Sequence, residues 1–330
     1  MASGLHPFAV YLKAIGRGST LGRPLDEIEA EAAFKMILDG EALPLQVGAF
    51  LLVLRYRTET ATELAGFVRA ARSRLAAGPE IAVDLDWPSY ADSHKQLPYF
   101  LLAARLLAQS GTRVLMHGIA GAGAATTRHG LRALGIEPVL SLGNAATALD
   151  CTGFAYLPIE TLCPGLAALF ELRAQLGLRS PVNTVARELN PFRAAAQIQG
   201  VFHPTYLELH RETQTLLGQA HAVTFKGGGG EGQRNPEKAC RVLALVDGQS
   251  SEVTWPALSE EPYPWRTEPL DADRLRALWQ GEWQPAGPVA AVTGTLALAL
   301  WTLRRAPDPA AARAMAERIW QARRQLPLAA

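Results

Sequence analysis

Cysteine is scarce and badly placed for chemistry in this chain. Cys151, Cys163 and Cys240 stand far apart with no C-x-x-C pairing, so neither a disulfide framework nor a zinc ribbon is indicated, and the expected compartment is a reducing cytoplasm. The seven histidines include no H-x-x-x-H or H-E-x-x-H pair, which argues against zinc held by protein ligands. No serine or cysteine sits in a nucleophile elbow, and no catalytic residue is assigned. The strongest apolar runs, residues 97–108 and 288–301, fall short of the roughly 20 residues that span a bilayer. Residues 1–6 carry no basic region followed by an apolar stretch, so the expectation is a chain neither exported nor embedded in a membrane.

An excess of charge of one sign is missing too. Basic residues number 32 against 31 acidic ones, a formal charge of +1, which neither demands nor excludes a polyanionic partner. The distribution is less even. Acids concentrate in residues 251–273, while Arg55, Arg57, Arg69, Arg72, Arg74, Lys95, Arg105, Arg113 and Arg128 lie along the first part of the chain with fewer acids among them. Such side chains either form a local basic groove or scatter over solvated helix faces.

What the chain has is length and apolar content. At 330 residues and 48% hydrophobic, it can bury one large core and a smaller companion. Asp26 with Glu29 makes a capping box, and Ile28, Ala32, Ala33, Met36 and Ile37 recur at helical spacing until Asp39-Gly40. Pro44 opens a second helix carrying Val47, Leu51 and Leu54. Thr60 with Glu63 makes another capping box before the stripe of Leu64, Phe67, Val68, Ala71 and Leu75. After Gly78-Pro79 short apolar runs at residues 81–85, 113–117, 138–142, 154–159, 220–226 and 241–247 alternate with helical segments at 97–108, 127–134, 165–176, 204–217 and 289–303. The pattern predicts an α/β fold: a small N-terminal all-helical domain over residues 1–78, joined by helices from about 165–200, and a large α/β domain over 79–330 with a mostly parallel central sheet. Ligands bind beyond the carboxyl ends of such strands, so residues 87–95, 118–127 and 227–234 are expected to line one crevice.

Within that crevice, His117-Gly118-Ile119-Ala120-Gly121-Ala122-Gly123-Ala124-Ala125-Thr126-Thr127 reads as a phosphate cradle in which backbone amides and the Thr126 and Thr127 hydroxyls donate near a helix start. A tight strand-to-helix turn reads the same way. The neighbouring strand end, Trp87-Pro88-Ser89-Tyr90-Ala91-Asp92-Ser93-His94-Lys95, has no glycine. Its aromatics either stack a base beside Lys95 or plug a pocket. Lys226 precedes four glycines and Glu231, the reverse of P-loop order, so this loop brings Lys226, Arg234 and Lys238 toward a polyanion or is a plain surface turn. Arg173, Arg179, Arg187 and Arg193 are either phosphate clamps or partners of Glu171 and Glu188.

Residues 39–51, Asp-Gly-Glu-Ala-Leu-Pro-Leu-Gln-Val-Gly-Ala-Phe-Leu, resemble the helical domain of anthranilate phosphoribosyltransferase and its pyrimidine nucleoside phosphorylase relatives. Met116-His117-Gly118-Ile119 is similar to that family's Lys-His-Gly-Asn element, residues 172–184 and Asn190-Pro191 to its Asn-Pro stretch, and residues 225–231 to the segment bearing its paired acidic metal ligands. The resemblance implies a class III nucleoside phosphorylase/phosphoribosyltransferase-like fold over nearly the whole chain. Three departures stand out. Trp87-Pro88-Ser89-Tyr90-Ala91-Asp92 replaces a Gly-Thr-Gly-Gly-Asp diphosphate loop, Met116 replaces a lysine, and Gly230 replaces one carboxylate of the metal pair beside Glu231.

Together with Lys95-Gln96-Leu97-Pro98 and residues 226–231, these departures resemble the YbiB-like branch of the family. That resemblance implies a homodimeric bacterial protein, dimerising through its helical unit, that binds DNA or RNA with little sequence preference and has no demonstrated glycosyltransferase activity. The residues expected to meet phosphate are Lys95, His117, Gly118, Gly121, Thr126, Thr127, Arg128, Arg173, Arg179, Arg187, Arg193, Lys226 and Arg234, with no cofactor. The alternative is a phosphoribosyltransferase for an unidentified acceptor, holding a phosphate-bearing small molecule on the His117 to Thr127 loop and magnesium on Glu231.

Overall fold

The computed structural model describes residues 4–91 and 95–323. Helices Ala9–Gly16, Gly18–Leu21, Glu27–Leu38, Pro44–Arg57 and Ala61–Arg72 form the N-terminal bundle. Both capping boxes are made: Asp26 accepts from the Glu29 amide and Thr60 from the Glu63 amide, with each glutamate reaching back to its cap. Glu63 does more than cap. Fully buried, its carboxylate also accepts from the Leu25 amide at 2.9 Å and pairs with Arg57, tying its helix to the end of Pro44–Arg57 and to the segment that leads into Glu27–Leu38. The bundle core around Phe34, Phe50 and Phe67 extends to Leu166, Leu169, Val182 and Val185, which lie on helices Pro164–Leu176 and Val182–Arg187.

The sheet has seven strands: β1 Leu85–Ser89, β2 Val114–Gly118, β3 Phe154–Pro158, β4 Ala196–Val201, β5 His221–Lys226, β6 Cys240–Val246 and β7 Gln249–Trp255. Their order is β3-β2-β1-β4-β5-β6-β7. The first five in that order run parallel, and β6 and β7 continue antiparallel. One face carries Trp87, Met116, Ile198, Val223 and Phe225 beneath helices Phe100–Gln109, Ala286–Thr302 and Pro309–Ala322. From the opposite face Leu115, Ala155 and Leu157 join the core of the helical bundle. Among the described residues no helix is long and apolar enough to cross a membrane.

Several local expectations shift. The run at 81–85 is mostly approach, and β1 begins at its last residue, Leu85. Pro88, which has no N–H to donate, sits inside β1, and the β1–β4 ladder covers only Leu85 and Asp86. Residues 138–142 form no strand: Val139 makes one bond to the Tyr156 carbonyl at 3.0 Å, and Ser141 then caps the helix Leu142–Thr152.

The bundle depends on one close helix crossing. A Cβ at Gly66 would stand 2.7 Å from the Ala30 Cβ and 2.5 Å from the Glu27 carbonyl oxygen, so Gly66→Ala must push the Glu27–Leu38 and Ala61–Arg72 helices apart. Overpacking of this kind costs about 1–3 kcal/mol. A lower urea midpoint at unchanged slope is the expected result, and an unchanged midpoint would show that the crossing has slack.

Candidate phosphate and nucleic-acid site

The carboxyl ends of β1 to β5 meet the Pro164–Leu176 and Val182–Arg187 helices in two adjoining recesses that share Ser180 and Asn183. The larger, about 290 Å³, is walled by Ile119, Gly121, Glu160, Phe170 and Arg173. The smaller, about 100 Å³, is walled by Arg55, Arg179, Arg187, Phe202, His203 and Tyr206.

A buried polar chain forms the floor. Asp86 has no solvent exposure, and its two oxygens meet His117 Nε2 at 3.1 Å and Gln197 Nε2 at 2.8 Å. The other ring nitrogen of His117, Nδ1, lies 2.6 Å from the Tyr90 hydroxyl. Burial raises the Tyr90 pKa well above its ordinary value, so that hydroxyl keeps its proton and donates to Nδ1. The imidazole proton then sits on Nε2, facing Asp86, an assignment made from the hydrogen-bond network. The Tyr90 ring stacks on Phe170 with centroids 5.9 Å apart, and Asn183 donates to the Tyr90 carbonyl at 3.3 Å.

The next amide along is also taken. Ala91 N–H donates to Glu231 Oε1 at 2.7 Å. A Cβ on Gly200 or Gly227 would collide with the Glu231 carbonyl, so the glycine turn closes directly onto the ends of β4 and β5. Trp87 lies in the core against Phe100. Of the two readings of the aromatic cluster, Trp87 and Tyr90 follow the pocket-filling one, and His94 lies outside the described residues.

The glycine-rich loop has two parts. Residues 120–124 are exposed, and Gly121 adopts φ +67°, a left-handed conformation that suits glycine. The hydroxyls beyond it are committed, a correction to the expectation that they face a ligand. Thr126 caps the Thr127–Ala133 helix by accepting from the His129 amide at 3.3 Å, and the Thr127 and Ser89 hydroxyls bond at 2.6 Å. Gly118 is buried, and a Cβ there would strike the Ser89 carbonyl. His117 is wholly buried in the polar chain.

The expected cations divide. Lys95 is exposed with its backbone beside Gly229, and Lys226 is exposed at the end of β5. Arg173 stands on the larger recess, and Arg179 and Arg187 on the smaller. Arg187 also donates to the Gly200 carbonyl at 2.7 Å and the Gly230 carbonyl at 3.1 Å. Arg128 pairs with Glu160 at 2.6 Å. Two assignments are corrected. Arg234 is 1% exposed, donates to the Pro256 carbonyl and lies over the Trp255 ring, so it is part of the core. Arg193 sits exposed at φ +53° in the turn entering β4, at the opposite end of the strand from the crevice.

Much of the basic stretch early in the chain is structural. Arg57, Arg69, Arg74 and Arg113 pair with Glu63, Glu27, Asp39 and Asp150. Arg72 donates to the Leu189 and Glu188 carbonyls, and burial lowers its pKa to about 10. Arg55 differs: exposed and 2.7 Å from the Tyr206 hydroxyl, it reaches the smaller recess. Sequence reasoning missed Phe202 and His203, whose position just after an unrecognised strand was the available signal.

Magnesium on a diphosphate requires carboxylate ligands and substrate oxygens. Among the described residues no group of three His, Cys, Asp or Glu side chains is placed to hold a metal ion. Glu231 has glycine before it and holds the Ala91 amide, so this donor set does not fit that ion.

Residues 10–75 match the helical bundle domain of the glycosyl transferase family. The chain is 29% identical over 252 residues to the protein named Uncharacterized protein YbiB of Escherichia coli, covering 74% of this chain and 78% of that one. It is 31% identical over 276 residues to the anthranilate phosphoribosyltransferase of Novosphingobium aromaticivorans, covering 79% and 82%. The anthranilate phosphoribosyltransferase structure from Thermus thermophilus superposes with a TM-score of 0.80 at 24% identity, covering 93% of this chain and 94% of that one. The Saccharomyces cerevisiae enzyme in complex with PRPP and Mg gives 0.76 at 15% identity, covering 96% and 94%. Sequence and fold agree that this chain belongs to the anthranilate phosphoribosyltransferase family of glycosyl transferases.

Proposed function

We propose that this chain is a nucleic-acid-binding member of its family, a cytoplasmic homodimer that holds the phosphates of DNA or RNA along the crevice rim and transfers no phosphoribosyl group. The observation that carries this reading is the Ala91 amide bonded to Glu231, with Tyr90 packed on Phe170 beside it. A diphosphate entering there would have to displace an internal carboxylate of its own charge sign. Support for a polyanion comes from Lys95, Arg173, Arg179 and Lys226 around the same crevice. Contacts from flexible cationic side chains to phosphate read no base sequence. The recess of about 290 Å³ with Arg173 on its wall is what favours the competing transferase reading.

Fluorescence anisotropy of a labelled mixed-sequence oligonucleotide separates the two. Binding should weaken linearly in log–log salt plots with a slope near −0.9 for each phosphate neutralised on duplex, and Arg173→Ala should reduce that slope by roughly one. Excess 5-phosphoribosyl diphosphate with magnesium should not displace the oligonucleotide. Affinity indifferent to salt, or saturable magnesium-dependent diphosphate binding, would return the chain to the transferases.

The dimer proposal rests on the Pro44–Arg57 helix, where Leu45, Leu52 and Tyr56 are 84%, 38% and 93% exposed on one face. A second copy of the same face would cover them. Light scattering should give twice the chain mass, and Tyr56→Asp should shift it toward the monomer. A monomeric wild-type protein at micromolar concentration would rule this out.

A further inference from the structure

One buried side chain joins the glycine turn after β5 to the start of the Phe100–Gln109 helix. Gln233 is 2% exposed, and its Oε1 accepts from the Phe100 amide at 3.0 Å across 133 residues of sequence. Phe100 opens its helix, so this amide is one of the first-turn donors that the helix itself leaves without a partner. Gln233 also closes the turn it belongs to. Its carbonyl accepts from the Gly228 amide at 2.6 Å, and its own amide donates to the Glu231 carbonyl at 2.7 Å. The turn and the helix start are therefore held by the same residue.

Each of these two elements carries an exposed lysine. Lys226 ends β5 and leads into the turn, and Lys95 lies five residues before Phe100. The glycines let the two stretches pack backbone to backbone. The Lys95 amide nitrogen is 3.9 Å from where a Cβ on Gly229 would stand, and the Gln96 side-chain oxygen is 2.6 Å from one on Gly228. The three steps of chain from Lys226 to Gly229 span at most about 11 Å, so both ammonium groups are within reach of one patch of the crevice rim. Gly229 and Gly230, at φ +67° and +87°, keep the turn tight in a conformation that other residues rarely adopt. Glu231, the acid of this turn, is buried and holds the Ala91 amide.

We infer that Gln233 is a positioning residue: by holding the Phe100 amide from the glycine turn it keeps Lys95 beside Lys226, and the two ammonium groups meet the phosphates of a bound strand as one unit. This rests on the nucleic-acid reading above and adds the residue that organises the contact. A lysine on an untethered loop has to be ordered when the ligand arrives, which offsets part of what the contact contributes. A loop that is already fixed does not incur that loss. Buried as it is, Gln233 acts through Lys95 and touches no phosphate itself.

The test uses the full chain and a labelled 20-nucleotide mixed-sequence DNA in anisotropy titrations. Gln233→Leu keeps most of the side chain's bulk but cannot accept from Phe100. It should weaken binding roughly 2- to 13-fold, the cost of ordering one long side chain, and lower the salt slope toward that of Lys95→Ala. In the Lys95→Ala background the same substitution should change affinity by no more than about twofold. A Gln233 that merely supported the fold would cost as much in either background. Where leucine prevents folding, Gln233→Asn, which keeps the amide and shortens its reach, makes the same comparison. Amine acetylation read by mass spectrometry follows the pair in the wild type, because the chain has only five lysines. The DNA should protect Lys95 and Lys226 to the same degree, with Lys13 on the Ala9–Gly16 helix as reference. Equal loss in both backgrounds, no loss in either, or protection of one lysine alone would overturn the positioning role and leave nucleic-acid binding standing. Failure of the wild type to bind at low salt would remove both.

Discussion

The floor of the crevice is organised by a carboxylate that water never reaches. Asp86 is wholly buried on β1, and an unpartnered charge in such a place would be severely destabilising. Its donors come from both neighbouring strands, His117 on β2 and Gln197 on β4. Each commitment creates the next. With Nε2 facing Asp86, His117 offers Nδ1 as an acceptor, and Tyr90 supplies the proton from inside the fold. Tyr90 in turn fills the space against Phe170. Gln197 and Gln199 both reach the Arg187 carbonyl, which holds the end of the Val182–Arg187 helix against the sheet. A single buried carboxyl group thereby ties together β1, β2, β4 and the helix that carries Arg187.

Glu231 extends the same logic to the crevice mouth. Its contact with the Ala91 amide satisfies a backbone donor that a glycine loop would leave open to a ligand oxygen. Gly200 and Gly227 admit its backbone so closely that side chains there would collide with it. The inner corner is consequently closed by the chain's own polar groups, and the cations that face solvent stand outward of it.

How much of this could be read in the sequence follows the range of the interactions involved. The capping boxes of Asp26 and Thr60 were legible because they are complete within four residues. The parallel strands β2, β3 and β5 were legible as short apolar runs. β4 was not: Gln197 and Gln199 break the apolar pattern, and they are tolerated only because Asp86, more than a hundred residues away, and Arg187 receive them. β7 is a polar edge strand, patterned like a loop. The same limit applies to the site. Arg234 and Arg173 are indistinguishable in sequence, yet one is stacked over Trp255 in the core and the other stands on the crevice wall.

The change at the end of β1 also bears on what kind of ligand such a crevice can select. Backbone amides in a glycine loop hold fixed positions and so recognise one phosphate arrangement at one distance. Guanidinium and ammonium groups on flexible stems accommodate phosphates over a range of positions, at the cost of that discrimination. Under the proposed function, replacing the first kind of donor with the second exchanges a site suited to one small diphosphate for one suited to a repeating backbone. Arg57, Arg69, Arg74 and Arg113 are each paired with a carboxylate of the chain, so the near-neutral total says little about the charge of any one face.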